Sequence, residues 1–209
     1  MDLPFTAQQF FAVFGQYNLA VWPMQIVLAA LALAAIGALV LAWPWSGVAI
    51  AASLALLWAW LGIGYHLAWF TRINPLAWGF AALSLAGALV FAWHGLARRT
   101  LRFGAVRRPR AIVGIALLVY ALLAYPVWSH LGGHRYPEMP TFGLPCPTTM
   151  FTFGMLAFLL PPYPRGVLVV PILWSAVGTQ AAFLLEVPQD LGLGFAGIAG
   201  LVWLRRPPR

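Results

Sequence analysis

From Trp22 to Leu96 the only aspartate, glutamate, lysine or arginine is Arg72. A water-soluble domain carries charge on about a quarter of its residues. Here the whole chain carries 8%, and 63% of it is hydrophobic. Most of its surface must therefore face lipid. Backbone amides in hydrocarbon have to be paired internally, which leaves helices or a closed barrel. Apolar runs of about 20 residues, rich in Ala and Leu and without strict alternation, select helices.

Seven spans are expected, at residues 22–43, 47–70, 75–96, 111–131, 147–160, 166–185 and 191–204. Residues 1–209 then form one transmembrane domain, an all-α seven-helix bundle. The fifth and seventh spans are short. The fifth ends at Pro161 and Pro162 and also reads as a re-entrant hairpin. A hairpin would move the C-terminal arginines away from the others, so a true span is expected. Residues 1–21 lack a basic start and carry Asp2, unlike a secretory signal. Thr6 and Gln9 have capping-box spacing, and Phe10, Phe14 and Tyr17 recur at about the helical period. An amphipathic helix lying in the membrane interface is expected there.

Charge orients the bundle. The twelve basic residues are all arginine. Arg98, Arg99, Arg102, Arg107, Arg108 and Arg110 lie after the third span, Arg165 after the fifth, and Arg205, Arg206 and Arg209 at the end. With seven spans these share one side, which the positive-inside rule makes cytoplasmic. Asp2, Glu138, Glu186 and Asp190 share the other; only Arg72 and Arg135 break the pattern. The N-terminus is expected outside, the C-terminus in the cytoplasm, and the bacterial inner membrane is the expected location. The six-arginine loop is expected to meet anionic lipids. It is too short to build a nucleic-acid-binding surface, so no nucleic acid is expected; an oligomer or a membrane partner is left open.

The remaining polar residues gather at the outer side. His66, Arg72 and Asn74 lie between spans two and three; His130, His134 and Glu138 follow span four; Cys146, Thr148 and Thr149 open span five; Gln180 lies in span six. In "GLPCPTTMFTFG" the lone cysteine stands between two prolines. Pro147 suits a first helical turn, and a helix N-terminus favours anions and thiolates. A buried structural cysteine is the competing reading. His130 and His134 have i, i+4 spacing, and with Cys146 they are a candidate metal set, although Gly132, Gly133 and Pro137 interrupt the helix. No cofactor other than a metal ion is suggested. The absence of lysine excludes a retinal Schiff base. No acid lies in a predicted hydrocarbon core, which disfavours an ion-driven pump. No Walker, HExxH or Gly-x-Ser-x-Gly motif is present.

Three stretches, "LPFTAQQFFAVFGQYNLAVWPMQ", "YHLAWFTRINPLAWGFA" and "GLPCPTTMFTFG", together resemble an uncharacterised family of bacterial multi-pass membrane proteins, domain-of-unknown-function family 6064. The resemblance covers almost the whole chain and implies a location without an activity.

Three functions fit these residues. The first is small-solute or ion handling through an outward-facing polar vestibule, with Pro126, Gly154, Pro171 and Gly178 breaking helices around it. Throughput would need a polar path past Thr179 and Gln180 towards His94. The second is a membrane enzyme or a metal or redox site on the outer face. The third is a structural or assembly protein.

Overall fold

The structure, a computed structural model, describes residues 3–205. Asp2, Arg206 and Arg209, which entered the charge argument, lie outside the described residues. All named elements are helical: α1 (Ala7–Ala20), α2 (Met24–Leu41), α3 (Ser46–Trp60), α4 (Ala77–Ala92), α5 (Arg108–Val119), α6 (Tyr125–Leu131), α7 (Pro145–Leu156), α8 (Val169–Gly178), α9 (Ala181–Leu184) and α10 (Leu191–Arg205). Short π and 3-10 turns extend or join several of them. Five continuous helical stretches are long and apolar enough to cross a membrane: Met24–Leu41, Ser46–Arg72, Ala77–Ala97, Arg108–Leu131 and Arg165–Leu184.

These five match five of the seven expected spans. The other two fall on α7 and α10, of 12 and 15 residues. At about 1.5 Å per residue, α7 is only ~18 Å long. It lies inside the bundle, with every residue except Cys146 buried. Small residues let its neighbours approach. A Cβ on Gly154 would stand 2.7 Å from Leu118 Cδ2, and one on Gly114 would stand 2.8 Å from Ala157 Cβ, so α5 crosses α7 nearly backbone to backbone. Trp58 Nε1 donates to Thr152 Oγ1 at 3.0 Å, tying α3 to the same helix.

The ends of α7 differ in charge. Its N-terminus meets Asp190, to which Cys146 Sγ donates. At its C-terminus Arg110 Nη2 donates to Leu156 O at 2.9 Å, a carbonyl that also accepts from Leu159 N at 3.2 Å. The arginine-rich loop is pinned there too. Gly104 N donates to Phe158 O at 3.0 Å and Leu160 N donates to Arg102 O at 2.7 Å.

The α1 helix forms as the capping box requires: Gln9 N donates to Thr6 Oγ1 at 3.2 Å, and Thr6 N donates to Gln9 Oε1 at 2.9 Å. Phe10, Phe11, Phe14 and Tyr17 bury themselves against a second apolar cluster that includes Tyr65, Phe70, Leu144 and Val187. Asn18 anchors the helix. Its Nδ2 donates to Pro137 O at 2.6 Å and to Met139 O at 2.9 Å, and its Oδ1 accepts from Thr141 Oγ1 at 2.7 Å. So α1 and residues 132–144 form one cap over the Asp190 end of the bundle.

The expected helix breaks are only partly seen. A π turn at Tyr120–Ala124 precedes Pro126, and the helix continues through Leu131. The wider turn takes up the carbonyl that proline cannot serve. Gly178 ends α8. Gly154 and Pro171 lie within unbroken helix, Gly154 for close packing and Pro171 in the first turn of α8, where a missing N–H costs little.

Candidate functional site

Asp190 closes a 3-10 turn, Pro188–Asp190, immediately before α10. Its side chain is 1% exposed. Tyr125 Oη donates to Oδ1 at 2.6 Å, and Cys146 Sγ donates to Oδ2 at 3.3 Å. Tyr120 Oη donates to the neighbouring Gln189 carbonyl at 2.8 Å, fixing the turn. Each carboxylate oxygen thus has one neutral donor, and no salt bridge to it is formed among the described residues. Asp190 directly precedes α10, whose N-terminal end favours negative charge, and Cys146 brings the start of α7 to the same carboxylate.

Burial wins over these favourable contacts. It pushes the Asp190 carboxyl up to about 7, against the lowering effect of the Tyr125 and Cys146 hydrogen bonds. Where a thiolate was expected at this helix N-terminus, Cys146 Sγ instead works as a hydrogen-bond donor to the carboxylate.

The cluster continues towards α3 and α8. A Cβ on Gly178 would stand 3.4 Å from Trp174 Nε1 and 3.8 Å from Cys146 Sγ. Trp174 and the fully buried His66 lie with ring centroids 4.9 Å apart. Both His66 nitrogens, Trp174 Nε1, Thr148 Oγ1 and Thr149 Oγ1 are buried without a hydrogen-bond partner. Each such group costs about 1–3 kcal/mol if left unpaired.

The family described as "Family of unknown function (DUF6064)" matches residues 7–208. The chain belongs to DUF6064. No curated protein and no solved structure matches it.

In this DUF6064 chain the expected outer-face residues divide sharply. His66, Cys146, Thr148 and Thr149 join the buried cluster. Asn74 is buried, but its Oδ1 accepts from Leu76 N at 3.0 Å and only closes a turn. Arg72 is exposed with its guanidinium 4.0 Å above the Trp69 ring. His134 stacks on Phe11 at 3.7 Å between centroids. His130 and Glu138 are exposed, with Glu138 packed beside Gly15 of α1. Gln180 is exposed and donates to Ala176 O. Among the described residues, α1 and residues 132–144 lie over the Asp190 end of the bundle.

The candidate metal set is also not assembled. Among the described residues no three His, Cys, Asp or Glu side chains come together as a metal site. His134 is held on Phe11, and Cys146 is held on Asp190. On the expected path towards His94, Thr179 Oγ1 donates to Ser175 O at 2.6 Å and Gln180 is exposed.

Sequence reasoning omitted Asp190, Tyr125 and Trp174 from the site. Asp190 carried a usable signal: it is the acid that directly precedes the apolar run "LGLGFAGIAG". Tyr125 and Trp174 carried none, because their role depends on which helix faces which.

Proposed function

We propose that this DUF6064 chain handles a small polar solute or ion within the bacterial inner membrane, at the covered site around Asp190. The bundle has seven spans, with α7 and α10 as the short ones, the N-terminus outside and the C-terminus in the cytoplasm. Anionic lipids meet the six-arginine loop. Support for this orientation comes from the separation of Glu138 and Asp190 from the Arg98–Arg110 loop at opposite ends of α7. Support for the function comes from one observation: Tyr125 and Cys146 donate to the buried Asp190 carboxylate, and Thr148 and Thr149, buried without hydrogen-bond partners, follow Cys146 on the first turns of α7.

A carboxyl whose pKa is about 7 exchanges its proton near neutrality, so a proton or small cation is the natural guest. The cap formed by α1 must then move to admit it, which makes α1 the gate. The enzyme and redox reading is weaker, because the Cys146 thiol is engaged as a donor to Asp190.

Proteoliposomes carrying a trapped pH-sensitive dye test the proposal under an imposed potential. Proton movement above that of empty vesicles, reduced at least tenfold in Asp190→Asn and unchanged in Glu186→Gln, is expected. Equal rates in the wild-type protein and Asp190→Asn would overturn it.

A further inference from the structure

At the other end of the molecule a cavity of about 510 Å³ is lined by Trp93, His94, Arg98, Thr100, Pro162, Tyr163 and Pro164. This volume falls in the range of ligand clefts, roughly 300–1,000 Å³. It lies where the α4 helix ends in a π turn, Trp93–Ala97. Thr100 shapes the wall: its N donates to His94 O at 2.8 Å and its Oγ1 donates to the same carbonyl at 3.1 Å. That double bond to one oxygen folds the chain back after Arg98 and leaves His94 and Arg98 on one lining.

The cavity carries donors without acids. The described acids are Glu138, Glu186 and Asp190. Glu138 packs beside α1, and Asp190 lies at the far end of α7, so neither is available to Arg98. Tyr163 Oη reaches Trp203 O only at 3.5 Å, which leaves its proton weakly held. A guanidinium, an imidazole and a phenol around a pocket of this size match a phosphate group.

The rim is apolar and exposed. Leu89, Trp93 and Leu96 are 70%, 57% and 39% exposed and follow one another at i, i+4 and i+7 on one helix face. A free phosphate would make no use of that stripe, whereas acyl chains would lie along it.

We infer that the Arg98 cavity is a discrete binding site for the phosphate of an acidic phospholipid head group, with the acyl chains against Leu89, Trp93 and Leu96. This rests on the bilayer reading above and goes beyond a diffuse attraction of the arginine loop for anionic lipid.

The test uses full-length protein delipidated in a neutral detergent and measures its melting temperature. Phosphatidylglycerol should raise it by several degrees, and phosphatidylcholine should not. Arg98→Gln should abolish the rise and Tyr163→Phe should reduce it, while Arg107→Gln should leave it intact. An equal loss in Arg107→Gln would mean a diffuse field and overturn the site. The same rise with inorganic phosphate alone would overturn the lipid as its source. Should the protein leave the membrane fraction on carbonate extraction, the bilayer reading and this inference fall together; retention with no phosphatidylglycerol effect removes the inference alone.

Discussion

Asp190 is held by a phenol and a thiol rather than by a cation, and that choice makes it sensitive to pH. Tyr125, Cys146 and, through Gln189, Tyr120 are the titratable groups around it. Its carboxyl binds a proton more tightly folded than unfolded, with the pKa raised from 3.8 to about 7. The folded state therefore gains stability below the unfolded value and loses it as pH rises towards 7. Melting temperature in detergent should fall between about pH 4 and 7, then level off. Asp190→Asn should flatten that slope. An unchanged slope in the variant would mean that Asp190 does not set it. His66, Cys146, Thr148 and Thr149 were legible as polar residues placed among apolar ones. Asp190 was legible only as an acid at the start of an apolar run, a position that reads equally well as a solvated loop acid.

Helices were the most legible level. Apolar runs gave the five long stretches, and the Thr6–Gln9 spacing gave α1 with its capping box. What the α1 helix packs against was hidden, since phenylalanines suit a membrane interface and a protein cap equally well. The role of Gly154 was also misread, as a break rather than a contact surface. A side chain there would meet Leu118 Cδ2 at 2.7 Å and Leu118 N at 3.1 Å. Backbone cannot yield as a flexible side-chain end does, so Gly154→Val should destabilise the protein by about 1–3 kcal/mol or more. Gly37→Ala is the control, because nothing lies within 4 Å of the added carbon. Thermal unfolding of the two variants checks the contrast; equal melting temperatures would show that the α5–α7 crossing has slack.

For the molecule as a whole, arginine bias is the strongest orienting signal. A reporter fused after Arg209 should be active only as a cytoplasmic form, and one fused before Leu3 only as an exported form. The opposite pair of results would invert the proposed bundle. The two short helices, α7 and α10, were less legible as spans than the five long stretches. Hydropathy measures what a segment gains from lipid, and α7 meets protein on almost every side. The same enclosure has a consequence for biogenesis. A short, threonine-bearing segment gains little by leaving a translocon for hydrocarbon unaided. On the proposed seven-span reading its insertion depends on companions, and α5 and α10 are helices packed against it. Nascent chains truncated between α7 and α10 should therefore be the ones that quality-control proteases clear.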